Sequence, residues 1–87
     1  MAEVWLFASL KSYAGGKTRM TVAGATVREL VDNLERQFPG IKEVLSYQGD
    51  LMPGLAVVVD GLTTNLGMLE SVQDDSEVHF LPAIGGG

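Results

Sequence analysis

The stretch TVRELVDNLERQF, residues 26–38, carries the clearest periodicity in the chain and decides what the rest must build around it. Thr26 can cap a helix, and Glu29 stands three residues later, the spacing of a capping box. Val27, Leu30, Val31, Leu34 and Phe38 then recur at helical intervals and form one apolar stripe. Arg28, Asp32 and Arg36 fall on the opposite side, spaced for i,i+4 ion pairs. Pro39-Gly40 ends the helix. One amphipathic helix cannot bury its stripe alone, so the flanking segments must supply a sheet for it to cover.

Those segments read as strands. In residues 4–10 (VWLFASL), alternation puts Val4, Leu6, Ala8 and Leu10 on one face and Trp5, Phe7 and Ser9 on the other. A polar stretch containing Gly15-Gly16 follows, and residues 18–22 return as the second arm of a hairpin. Beyond the helix, residues 41–54 read as irregular and close on Pro53-Gly54. The apolar run 55–59 is a buried strand, Asp60-Gly61 is a turn pair requiring positive φ, and residues 62–65 return. Residues 67–72 can form one helical turn, Asp74-Asp75-Ser76 a polar turn, and residues 77–81 a last strand ended by Pro82. This order predicts an α+β chain: a mixed sheet of four to five strands, one main helix packed on one face, and the first and last strands as parallel central neighbours. That is the β-grasp, or ubiquitin-like, architecture, expected over residues 1–82 with a flexible glycine-rich tail at 83–87.

Composition narrows the function. A length of 87 residues supports one domain, and a 46% apolar content provides a core without disulfides or metal. The absence of cysteine excludes a thiol nucleophile and a thiolate zinc site. All six Lys and Arg residues lie at or before Lys42, leaving residues 1–42 at +2 and residues 43–87 at −7. Such a half is a poor match for nucleic acid and a better one for a basic protein surface. For the charge alone, a solvated acidic surface that aids solubility is the favoured reading. The N-terminus lacks a basic signal region, and the apolar runs are strand-sized, so no membrane association and a cytoplasmic location are expected.

No side-chain chemistry assembles. Gly16-Lys17-Thr18 resembles the end of a phosphate loop, but Lys11 stands where that motif needs its first glycine, and a strand follows instead of a helix. His79 is the only histidine and has no triad or metal partners. Asp74 and Asp75 are adjacent turn acids that point apart, and the methionines read as packing filler. An enzyme acting alone is therefore not expected, nor a cofactor bound by this chain.

The tail differs. Ile84 precedes Gly85, Gly86 and Gly87, and a terminal glycine leaves its carbonyl carbon unhindered. Extended, residues 84–87 reach roughly 13–14 Å, enough to thread a partner's narrow active site.

The run Glu77-Val78-His79-Phe80-Leu81-Pro82-Ala83-Ile84-Gly85-Gly86-Gly87 resembles the C-terminus of the small ubiquitin-like sulfur carriers: the molybdopterin synthase small subunit, the thiamine-pathway carrier and a cysteine-synthesis carrier. Val4-Trp5-Leu6-Phe7-Ala8, Thr26-Val27-Arg28-Glu29-Leu30 and Val57-Val58-Val59-Asp60-Gly61 fall in the same order, so the resemblance spans the chain. Ala83 departs from the second proline of molybdopterin synthase subunits, and Asp60 stands where many members carry Asn.

The resemblance implies a mechanism. An E1-like adenylating enzyme using ATP and Mg activates the Gly87 carboxylate. A persulfide donor converts the acyl-adenylate to a thiocarboxylate. The sulfur passes to an acceptor on a second enzyme, such as a molybdopterin synthase large subunit or a cysteine synthase, or enters thiamine or tRNA thiolation. The positions of Phe7 and Leu81 match those that pack against partners in the family. With Trp5 and His79 they are the expected partner-binding face, unless a local loop covers them. Two other readings share the sequence: a ubiquitin-like modifier joined through Gly87 to lysines of target proteins, and an interaction domain with an incidental tail. Isopeptide adducts would mark the modifier, and indifference to loss of Gly86 and Gly87 would mark the interaction domain.

Overall fold

The computed structural model describes residues 1–83. The tail residues Ile84, Gly85, Gly86 and Gly87 lie outside the described residues. The strands are β1 (Ala2–Leu6), β2 (Arg19–Val22), β3 (Ser46–Tyr47), β4 (Asp50–Leu51), β5 (Leu55–Val59), β6 (Leu62–Thr63) and β7 (Glu77–Pro82), with helices α1 (Val27–Gln37) and α2 (Ile41–Leu45). The main sheet runs β2-β1-β7-β5-β6, and β3 with β4 forms a separate two-residue hairpin. As expected, β1 and β7 are parallel, with Val4 opposite Val78 and Leu6 opposite Phe80. β7 is the central strand and pairs antiparallel with β5 on its other side.

α1 forms where its stripe predicts. Thr26 Oγ1 accepts the Glu29 N–H at 3.2 Å. Glu29 Oε1 reaches back to the Ala25 N–H at 2.9 Å, one residue short of a reciprocal box. Val27, Leu30, Val31 and Leu34 are fully buried and share one cluster with Val4, Leu6, Val78 and Phe80, joining helix and sheet. Thr26→Ala should therefore lower the unfolding free energy by about 1 kcal/mol, read as a shift of the urea midpoint with unchanged slope.

Three expectations are corrected. The first strand stops at Leu6, and Ala8–Ala14 is a 3-10 helix. Beyond Leu6 the strand has no further partner residues on β7 or β2. Leu10 and Ala14 then bury at a spacing of four, while Ala8 is exposed. Residues 41–54 are not wholly irregular: Ile41 and Leu45, again four apart, anchor α2 in the core. β3 and β4 follow, joined by Gln48 (φ 52°) and Gly49 (φ 81°). Finally, the charges on α1 make tertiary contacts. Asp32 takes the Lys42 ammonium at 2.6 Å, and Arg28 donates to the Gly49 carbonyl at 3.1 Å. Both tie α1 to the 41–51 excursion.

Glu35 completes that tie. Its carboxylate accepts the Gly40 N–H at 3.1 Å and the Lys42 N–H at 2.9 Å, covering orphan donors at the start of α2. The two backbone bonds, the one from Lys42 foremost, hold its pKa below the usual glutamate value.

Candidate docking face and tail exit

The sheet face away from α1 carries a row set by strand register. Arg19 of β2 stands opposite Trp5 of β1, Trp5 opposite His79 of β7, and His79 opposite Val58 of β5. The Trp5 and His79 rings stack with centroids 5.3 Å apart and planes 5° from parallel. The Arg19 guanidinium lies 5.0 Å from the Trp5 ring. Glu3 fixes both neighbours: Oε1 accepts the Trp5 indole N–H at 3.0 Å, and Oε2 accepts Arg19 Nε–H at 2.9 Å. Glu77 Oε1 lies 3.1 Å from His79 Nε2. A platform of planar groups, held in place by carboxylates and still half-exposed, can meet another surface with little loss of side-chain entropy.

Leu81 lies two residues beyond His79 and is 40% exposed. With Val58, Asp60, Gly61, Glu77 and His79 it lines a shallow groove. The structure thus gathers Trp5, His79 and Leu81 on this face. Phe7, in extended backbone just past the end of β1, is half-buried and packs against the core cluster. Arg19, Glu3 and Val58 are the residues that sequence reasoning missed. Arg19 and Glu3 would have emerged from the β1–β2 register, which the unrecognised 3-10 helix concealed.

The end of β7 is held on its β5 side. Asp60 N–H donates to the Glu77 carbonyl, and Ala83 N–H donates to the Gly54 carbonyl at 2.7 Å. Odd-numbered β7 residues therefore face β5 with their hydrogen-bonding groups, and Pro82, opposite Leu55, occupies a non-bonded pair. The nitrogen of Pro82 points toward the β1 side, where pairing has already ended at Leu6 and Phe80. A residue without an N–H fits there without losing a rung. Ala83, beside Gly54, makes the last rung described.

Asp60 ties the β5–β6 turn to the start of β7. It adopts φ 51° and Gly61 φ 83°, as the Asp-Gly pair predicted. Asp60 Oδ1 accepts the Glu77 N–H at 2.9 Å, and Oδ2 accepts the hydroxyl of the buried Ser76 at 2.8 Å. The Glu77 backbone bond first, then the Ser76 hydroxyl, lowers the Asp60 pKa. A folded-state pKa below the unfolded one stabilises the fold above the usual carboxylate range, about pH 4, and that contribution disappears as pH falls through the lowered value. Urea midpoints should therefore drop on acidification below about pH 4. The drop should be shallower in a Glu35→Gln/Asp60→Asn variant; an equal drop in both chains would remove these two carboxylates from the account.

Among the described residues no group of three or more His, Cys, Asp or Glu is placed to hold a metal, and no helix is long and apolar enough to cross a membrane.

A five-stranded mixed sheet with its first and last strands as central parallel neighbours, and one covering helix, define a small ubiquitin-like β-grasp protein. The chain belongs to the ThiS family, whose match spans residues 4–87. It is thus a small sulfur carrier of the non-catalytic subunit type. It is 32% identical to the molybdopterin synthase sulfur carrier subunit of Emericella nidulans, over 98% of this chain and 96% of that one. The crystal structure of the Amycolatopsis orientalis BexX/CysO complex contains a chain that superposes with a TM-score of 0.91 at 29% identity, covering all of both chains. The small archaeal modifier protein 1 of Methanosarcina acetivorans superposes with a TM-score of 0.81 at 25% identity, over 99% of this chain and 95% of that one.

Proposed function

We propose that the chain carries sulfur on the carboxylate of Gly87. An E1-like enzyme uses ATP and Mg to adenylate that carboxylate, releasing pyrophosphate. The terminal sulfur of a persulfide donor then displaces AMP to give an acyl disulfide. A further thiol cleaves that disulfide, which releases the thiocarboxylate and leaves the donor oxidised as a disulfide. A second enzyme accepts the sulfur in the cytoplasm. The observation that carries this reading is the extent of the family match, which runs through the glycine tail to residue 87. The fungal relative favours a molybdopterin synthase large subunit as acceptor, and the likeness to a CysO chain favours a cysteine synthase as the alternative. Residues 1–82 are the rigid body, residues 83–87 the flexible reach, and Trp5, Phe7, His79 and Leu81 the partner-binding set. Within that set, Trp5 and His79 are supported by their stacking and exposure, and Phe7 by the resemblance alone.

The intact mass of the protein from its native cell tests the proposal. A C-terminal peptide heavier by the difference between sulfur and oxygen, reverting to the acid on hydrolysis, is expected. The likeness to an archaeal modifier protein supports a second reading, in which the activated Gly87 is joined to lysines of target proteins. Isopeptide-linked adducts with no thiocarboxylate at any stage would replace the first reading with that one.

A further inference from the structure

Away from the outer face, three strongly exposed large apolar side chains fall in one short stretch: Leu62, Leu66 and Leu69, at 74%, 58% and 69% exposure. Register places Leu62 on the helix side of the sheet, because it faces Val59, which faces the buried Val78. α1 packs toward β2 and the Gly67–Leu69 turn, so β6 extends past its cover. Leu62 and Leu66 line an open groove with Asp60 and Glu70, whose carboxylates accept hydrogen bonds from Ser76 and Glu77 and from Thr64 and Ser71, respectively. Asp50 borders the same turn: a β-carbon at Gly67 would lie 3.0 Å from its Oδ1. None of these three acids pairs with a lysine or arginine among the described residues.

A second copy of the chain is a poor occupant. It would bring the same acids to the contact. Cations around an apolar centre would satisfy both features at once. We infer that the Leu62–Leu66–Leu69 surface is a second docking site, for a protein partner whose apolar centre is rimmed by lysine or arginine. It lies on the opposite side of the sheet from Trp5 and His79, with Asp60 at the corner between them. A partner held here leaves the outer face open.

The full-length ¹⁵N-labelled chain, titrated with a synthetic amphipathic helix bearing leucines on one face and lysines along its flanks, tests this. Saturable shifts confined to residues 50–51 and 60–70 are expected, weakening with added salt. The Leu62→Ser/Leu66→Ser/Leu69→Ser variant should weaken binding by ~10-fold or more, and a glutamate-flanked peptide should not bind. If the triple variant loses its native spectrum, Leu69→Ser alone should still weaken binding severalfold. Shifts centred on Trp5 and His79 or on Asp74 and Asp75, unchanged affinity in the leucine variants, or a dimer abolished by them would each overturn the inference. The assay does not involve the tail: a chain lacking Gly86 and Gly87 should bind equally, so its outcome is independent of the sulfur-carrier proposal.

Discussion

A chain ending at Gly86 is expected to fold normally and to accept almost no AMP or sulfur. Losing one extended residue withdraws the reacting carboxylate by roughly 3.3–3.6 Å. A misplacement of ~1 Å in an active site already costs about 10²-fold. The rate of ATP–pyrophosphate exchange with the activating enzyme should therefore fall at least ~100-fold, with no thiocarboxylate in the intact mass. Gly87→Val keeps the length but adds branched bulk beside the carbonyl, and should also be strongly impaired. Thermal unfolding should be unchanged in both, because every residue of the buried core cluster is left intact. Exchange at the full-length rate in the shortened chain would remove Gly87 from the chemistry.

Phe80→Ala is expected to be the most destabilising single change in the body. Phe80 is fully buried, lies opposite Leu6 on one side and Val57 on the other, and shares a cluster with the stripe of α1. Truncation of a buried Phe costs about 3–5 kcal/mol, a large share of the ~5–15 kcal/mol that holds a domain together. His79→Ala, one residue away on the half-exposed face, should lose only about 1 kcal/mol with its ring stack. Urea unfolding of the two variants separates the faces of one strand. Equal losses would mean that the two faces do not differ as their burial implies.

Much of this molecule could be read from its residues because local pattern and tertiary demand agree. The α1 stripe, the Asp60-Gly61 turn and the parallel pairing of the first and last strands at the centre of the sheet follow from that agreement. Legibility fails where two periodicities overlap. Residues 8–10 alternate as a strand would, yet Leu6, Leu10 and Ala14 also recur every fourth residue, and the lack of a strand partner selects the second pattern. Ile41 and Leu45 are too few to announce a helix of five residues. Asp32 has helical neighbours at the right spacing, but Lys42 arrives from the next element. In the candidate site, alternation placed Trp5 and His79 correctly. Arg19 and Glu3 needed the hairpin register.

The central position of β7 bears on how the chain is made. Neither β1 nor β5 has its main neighbour until residues 77–82 exist, and the β1–β7 rungs join opposite ends of the sequence. Contacts of such separation slow folding, and here they also postpone it. A nascent chain still missing its last dozen residues has no completed sheet, however long it waits. Folding thereby proofreads synthesis: a truncated product remains open to proteolysis, and the chains that reach the native state are those that include the end of β7.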